Sequence, residues 1–404
     1  MAWDLSRRVF LKGFGFAAVG VGFSPSSLMV RAAEGAEAGS RVFVHVFLRG
    51  GADGLGLVPP VGDPDYAPLR GGIALGRNEV VDLDGFFALH GGLAPLKPLF
   101  SDGKLAVVHA VGNYDLSRSH FDAQDFMETG TPANKTTATG WLDRSIAAIP
   151  GREVTQAVSF SAQLTRSFLG GEPVLVAQTL ATFDLRARNW RPEAGTLVRA
   201  MYDADQSDVG RIGQETFAAM DVLMRTPQIT AAPLNGAVYP NASVGTSLRQ
   251  AAQVIRAGLG TRCIFVNVGG AFDTHSTQLL NNQLEFSRLG DALAAFAQDL
   301  GPLLDDVVVL VSTEFGRAAF VNGSAGTDHG SAHAALVMGG RIRGGRVYGR
   351  WPGLSKSQLY QERDLAVTTD FRDLFAEMAR AQLGVDPGAL FPGYTPGPGL
   401  GIVA

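Results

Sequence analysis

Four short apolar runs rich in Val, Ile and Phe punctuate the chain: Val42 to Leu48, Leu105 to Val111, Cys263 to Val268 and Val307 to Ser312. Their apolar positions are largely consecutive rather than alternating, which predicts strands buried on both faces, as in a parallel sheet. Each run is followed by a loop holding Gly, Asp, His or Ser, and then by a helical pattern. Phe121 to Glu128 follows the second run and Gln278 to Leu300 the third. Strand, polar loop and helix in repetition predict an α/β fold with a doubly wound, mostly parallel sheet and helices on both faces. Ligands of such sheets bind beyond the carboxyl ends of the strands.

The pattern changes from about Gly151 to Gly260. A hairpin is predicted over Ala157 to Gln178, with helices near Ile212 to Met224 and Ser247 to Leu259, so this segment reads as a cap or insertion over the sheet. Asp370 is placed to cap a helix from Phe371 to Leu383. Beyond Gly384 the chain turns Pro- and Gly-rich and reads as an extended tail packed on the surface.

At the start, Arg7-Arg8 precedes an apolar stretch from Gly13 to Phe23, which is too short to span a bilayer, and Ala36-Glu37-Ala38 offers a small-residue cleavage pattern. Residues 1–38 therefore read as a twin-arginine export signal, with residues 39–404 as the mature α/β domain. The expected partner is the twin-arginine translocation machinery, and the destination is the periplasm or the extracellular space. No other stretch is apolar for long enough to span a membrane. The net charge of −4, without a polybasic run, argues against a nucleic-acid partner. The one cysteine, Cys263, lies in an apolar run and reads as a buried strand residue.

Chemistry-bearing residues gather in four loops. After the first run, Arg49-Gly50-Gly51-Ala52-Asp53-Gly54 puts a carboxylate at the predicted sheet edge, where it can meet a hard cation. After the second, Ser117-Arg118-Ser119-His120 places Ser119 at or near a helix N-terminus, whose free N–H groups and dipole favour an anion. Arg118 adds a charge able to pair with phosphate or sulfate oxygens. After the third, Asp273-Thr274-His275 can chelate one divalent ion. After the fourth come Glu314, Arg317, Asp328, His329 and His333, a dense set of carboxylates and imidazoles. Such ligands suit Zn²⁺, Mn²⁺ or Fe²⁺, and the carboxylate-rich parts admit Mg²⁺ or Ca²⁺. Of the other histidines, His45 and His109 fall inside predicted strands, and His90 is placed to cap a turn.

The strings Leu48-Arg-Gly-Gly-Ala-Asp-Gly54, Ser117-Arg-Ser-His-Phe121, Phe272-Asp-Thr-His275, Ser312-Thr-Glu-Phe-Gly-Arg317 and Thr327-Asp-His329 resemble the DUF1501 family of exported bacterial proteins. That family in turn resembles the alkaline phosphatase and sulfatase superfamily. The resemblance implies an alkaline-phosphatase-like core in which metal ions activate a nucleophile at a helix N-terminus. By position, Asp53 would be a metal ligand from the first strand and Ser119 the nucleophile, with Ser117 in reserve. Asp273 and His275 would serve one metal, Glu314 the next ligand position, and His329 or His333 the last. The chain departs from the superfamily pattern in two places. Asp273 and His275 are two apart rather than four, and Glu314-Phe315 stands where an Asp-His pair is usual. The second departure removes a ligand unless Asp328 or His329 folds back to replace it.

The leading functional expectation is a metal-dependent hydrolase of phosphate or sulfate esters. Ser119 would attack, and Arg118 or Arg317 would hold the non-bridging oxygens. The alternative is a non-catalytic envelope protein on the same scaffold, binding a metal, an anion or a glycan.

Overall fold

The computed structural model describes residues 41–115, 117–151, 154–180 and 192–403. The expected export signal over residues 1–38 lies outside them. Among the described residues eleven strands run in chain order: β1 (Val42–Arg49), β2 (Val80–Asp82), β3 (Ala88–His90), β4 (Leu105–Gly112), β5 (Ala157–Phe160), β6 (Leu175–Val176), β7 (Cys263–Gly269), β8 (Val307–Thr313), β9 (His333–Gly339), β10 (Val347–Tyr348) and β11 (Thr369–Asp370). Their main sheet has the order β10-β4-β9-β8-β1-β7-β5-β6, with β11 also paired to β4, while β2 and β3 form a separate two-stranded ladder. Strand β9 runs antiparallel to β4 and β8, and the other ladders of the main sheet are parallel.

The seven longer helices are α1 (His120–Thr129), α2 (Trp141–Ala147), α3 (Pro192–Ala204), α4 (Asp208–Arg225), α5 (Ser243–Ala257), α6 (Gln278–Leu300) and α7 (Phe371–Met378). They cover both faces. Val42, Val44, Val46 and Leu48 of β1 share one core with Leu248 and Ala252 of α5 and with Phe286, Leu293 and Phe296 of α6. Phe43 and Phe47 share the opposite core with Trp141 and Leu142 of α2 and with Phe371 and Phe375 of α7. The consecutive apolar runs follow from this arrangement, because a strand covered on both sides has no polar face to alternate with.

All four predicted strands form, as do the helices after the second and third. Strand β9 had no place in the sequence reading. His333 and a run of small residues open it, so it lacks the β-branched signal of its neighbours. The hairpin expected over Ala157 to Gln178 does not form: β5 and β6 pair in parallel and extend the main sheet beyond β7. Asp370 caps α7 as expected, accepting from Arg372 N at 2.9 Å. The tail returns to the body, where Glu377 Oε1 and Oε2 accept from four successive backbone N–H groups, residues 400–403. Cys263 is fully buried, and burial pushes its thiol up, out of the reactive range. Among the described residues no helix is long and apolar enough to cross a membrane.

Candidate metal centre

Strands β1, β7 and β8 are central, adjacent and in register, pairing Leu48 with Val268 and with Thr313. Their carboxyl ends therefore release three loops side by side. Two glycines let those loops close on each other. A Cβ on Gly50 (φ +122) would meet Asp273 N at 3.1 Å, and one on Gly51 (φ +63) would meet the Phe315 ring at 2.5 Å. An L side chain fits neither the backbone conformation nor the space. The loop after β8 doubles back on itself: Gly330 N donates to Gly316 O, and Thr327 N donates to Thr274 O of the neighbouring loop. That folding carries His329 back over the sheet edge.

Three imidazoles and one carboxylate meet there. One ligand atom each from His120, Asp273 and His329 lie within 4.8 Å of one another. His329 Nε2 stands 3.0 Å from Asp273 Oδ1 and 3.0 Å from His275 Nε2. His275 Nε2 stands 3.1 Å from Asp273 Oδ1, and His120 Nε2 stands 3.4 Å from Asp273 Oδ2. Each ring is anchored from behind. His120 Nδ1 lies 2.7 Å from Glu314 Oε1, His275 Nδ1 lies 3.0 Å from Asp328 Oδ1, and His329 Nδ1 lies 2.7 Å from the Arg118 carbonyl. A carbonyl and an ionised carboxylate only accept, so in each neutral ring Nδ1 carries the hydrogen and Nε2 a lone pair. All three lone pairs are then turned toward an ionised carboxylate, and buried His120 Nε2 has no hydrogen-bond partner. A cation among them relieves acceptors that face an acceptor, as does a proton on a ring, and Arg317 already brings one charge to Asp273. A metal-binding histidine is held in this way by an outer acceptor on its second nitrogen. The donor set thus fits a divalent cation.

The electrostatics agree. Burial alone would raise the Asp273 carboxyl, but Arg317 and His329 beside it hold it down at about 2. Arg317, fully buried, donates NH1 to Asp273 Oδ1 at 2.7 Å and spends its other donors on Thr327. The Glu314 hydrogen bond raises His120, whereas burial lowers His329. Hydrogen bonding to His275 lowers Asp328. Phe315 packs its ring 4.8 Å from that of His120 and 5.0 Å from that of His329, filling space behind the cluster with an apolar wall. About half of the Asp273 and His275 side chains, 44% and 47%, remains open to solvent.

The structure brings together Asp273, His275, Asp328, His329 and Arg317 of the expected site residues. Glu314 belongs to the cluster at one remove. Its carboxylate accepts from His120 Nδ1, Gln124 Nε2, Gly50 N and Thr313 Oγ1, so it stands behind His120 instead of facing the cation position. Asp53 is turned elsewhere: the buried Arg70 guanidinium donates to its Oδ2, as do Gln278 Nε2 at 2.6 Å and Asn282 Nδ2 at 3.4 Å. His333 is enclosed at the first position of β9, paired with Val111 of β4, and neither ring nitrogen makes a hydrogen bond. Ser119 is the N-cap of α1, accepting from Asp122 N at 3.5 Å. Ser117 lies two residues back, with its Oγ 3.5 Å from Asp122 Oδ2. The Arg118 guanidinium is engaged by Asp364 and Gln361. The sequence does not single out His120 as a candidate ligand. The available signal was its position immediately after the capping serine, where a helix start aims the ring back over the sheet edge.

Together these features define an α/β protein with a candidate imidazole–carboxylate metal centre at the carboxyl edge of a mostly parallel sheet. Residues 105–395 match the family described as protein of unknown function (DUF1501), and the chain belongs to that family. The comparison with curated proteins gives no match. Among solved structures, the chain is similar to the C-terminal periplasmic domain of EcEptC from Escherichia coli in complex with Zn, at 9% identity and TM-score 0.36, covering 75% of this chain and 74% of that one. It is similar to the phosphonate monoester hydrolase of Agrobacterium radiobacter at 13% identity and TM-score 0.35, covering 88% and 78%. A protein in the alkaline phosphatase superfamily from Vibrio parahaemolyticus matches at 11% identity and TM-score 0.34, covering 78% and 64%.

Proposed function

We propose that this protein is exported, holds one divalent metal ion at the sheet edge, and hydrolyses phosphate or sulfate esters there. The observation that supports the metal is the convergence of three bare Nε2 atoms, each ring fixed through Nδ1, on the ionised Asp273. His120, His275, His329 and Asp273 would hold the ion. An imidazole-rich set with one carboxylate favours Zn²⁺, Mn²⁺ or Fe²⁺ over Mg²⁺ or Ca²⁺. An ion of this class, when bound, polarises an ester oxygen and lowers the pKa of a hydroxyl or water. The chain's own residues do the positioning. Arg317 fixes Asp273, Glu314 fixes His120, and Asp328 fixes His275. The half-open outer side leaves room for a substrate, as catalytic sites do and closed structural sites do not. Ser119 precedes His120 at the start of a ten-residue helix, where backbone N–H groups favour a negatively charged ester.

The test is metal content together with turnover of an aryl phosphate and an aryl sulfate. Turnover should require the metal and be lost in Ser119→Ala and in His329→Ala. Bound metal with no turnover of either ester refutes the hydrolase and leaves the second reading, a metal-dependent binder of anions or glycans. The engagement of Arg118 and Arg317 favours that alternative, because Nε and NH2 of Arg118 bond Asp364 and Gln361, and Nε, NH1 and NH2 of Arg317 bond Thr327 and Asp273.

A further inference from the structure

Asp364 makes no hydrogen bond to any of the four proposed ligands, yet it ties the His120 loop to the His329 loop. It is fully buried and accepts through Oδ2 from Arg118 Nε at 3.0 Å, Arg118 NH2 at 2.7 Å and Ser331 Oγ at 2.9 Å. Its Oδ1 accepts from Arg363 NH1 at 2.7 Å. Arg118 lies two residues before His120, and Ser331 two residues after His329. The Arg118 carbonyl is also the group that accepts from His329 Nδ1, at 2.7 Å. One carboxylate thus anchors the loop that carries His120, the loop that carries His329, and the residue whose carbonyl sets the tautomer of His329. The turn that presents Asp364 is itself unusual. Gln361 (φ 53) and Glu362 (φ 56) are successive non-glycine residues in the left-handed region, and Tyr360 and Asp364 close the turn by exchanging backbone hydrogen bonds. Such a conformation persists only where its surroundings impose it, and it concentrates at functional sites. Backbone contacts from the same turn reach the β8 loop, where Ala318 bridges Asp364 and Ala319 N donates to Arg363 O.

We infer that Asp364 is a positioning residue of the metal centre, holding His120 and His329 in the arrangement that aims both Nε2 atoms at Asp273. The inference rests on the metal reading above. Replacing an outer partner of a metal-binding histidine typically costs about 10- to 100-fold in metal affinity.

The experiment compares Zn²⁺ affinity, by chelator competition, in the wild-type protein, Asp364→Asn and Arg363→Ala. It also reads the ring-nitrogen ¹⁵N shifts of His329 in the metal-free proteins. Asp364→Asn keeps the volume and removes the charge that holds Arg118. Asp364 acts one contact behind the outer partner of His329, so affinity should fall no more than about tenfold, the low end for an outer partner, and His329 should lose its single Nδ1–H tautomer. Arg363→Ala removes the partner on the far oxygen and a charge that also acts on Asp328, and should lower affinity by less than Asp364→Asn does. If Asp364→Asn fails to fold, Arg118→Ala and Ser331→Ala sever the same two tethers and should each lower affinity. Unchanged affinity and an unchanged His329 tautomer in the folded variants overturn the inference while leaving the metal centre standing. A wild-type protein that takes up none of Zn²⁺, Mn²⁺ and Fe²⁺, while Asp364→Asn shifts the His329 tautomer, overturns the metal reading and leaves the positioning role intact. Equal losses in Asp364→Asn and Arg363→Ala also overturn it, since they mark general loosening.

Discussion

Asp53 and Asp273 occupy equivalent places in neighbouring strand–loop units and have opposite fates. Strands β1 and β7 end on the pair Arg49 and Gly269, and each acid stands four residues further on. Asp53 is sealed from solvent against Arg70, with Gln278 and Asn282 adding donors to the same oxygen. Asp273 stays half open and faces three imidazoles as well as Arg317. The difference lies in what the rest of the fold delivers. Arg70 arrives from a short helical turn, Tyr66–Arg70, and supplies a permanent charge where Asp53 could have met a metal ion. At Asp273 one charge comes from Arg317, and the imidazoles arrive from three loops with their Nδ1 atoms anchored on the outer side, which leaves a position suited to a cation. A hydrogen-bonded path joins the two acids. Gln278 donates to Asp53 and accepts from Thr274 and Thr327, and Thr327 in turn accepts from Arg317. An acid after a strand is therefore a sealed ion pair or a candidate ligand according to its partners, not its position.

That contrast can be broken most forcefully at Asp53. Asp53→Ala strands a buried guanidinium and should destabilise the protein by about 3–5 kcal/mol in urea unfolding, while Zn²⁺ uptake by the folded fraction persists. Loss of uptake with stability intact would reverse the roles assigned to the two acids. Asp273→Ala should differ by its loss of metal. Metal affinity should fall at least about 100-fold, roughly 2.7 kcal/mol. The metal-free protein should also lose stability, though less than Asp53→Ala, because buried Arg317 loses its charged partner but keeps Thr327.

Acid sharpens the contrast between the buried and the rim histidines. Burial holds His45 at about 3 and His109 and His333 at about 4, below the ordinary value of 6.5. Below pH 6.5 the unfolded chain takes up these protons and the folded chain does not, so stability rises with pH across this window and is lost on acidification. Each group contributes up to about 1.4 kcal/mol per pH unit. Unfolding at pH 7 and pH 5 checks this, and equal stabilities would refute it. The smallest effect is expected at Asp328→Ala, since a half-exposed carboxylate holding His275 should be worth about tenfold in metal affinity, the low end for an outer partner.

The fold was legible where burial on both faces writes itself into consecutive apolar residues, as in β1, β4, β7 and β8. It was not legible at β9, whose small residues carry no strand signal. Nor was it legible at β5 and β6, where two short runs suited a hairpin as well as two parallel neighbours. At the site, the sequence pointed to Asp273, His275, His329 and Asp328 because each follows a predicted strand or lies in the dense loop after one. It did not separate them from Asp53 and His333, which carry the same local signal.

By itself the sequence determined which residues could reach the sheet edge, since hydrophobic periodicity fixes strands, and strands fix where loops begin. Only the tertiary structure decided which of those residues meet. Arg70, Asp364 and the doubled-back loop after β8 act across long separations in the chain, and a side chain's role as ion-pair partner, ligand or anchor depends on charges and acceptors brought within a few ångströms by folding alone.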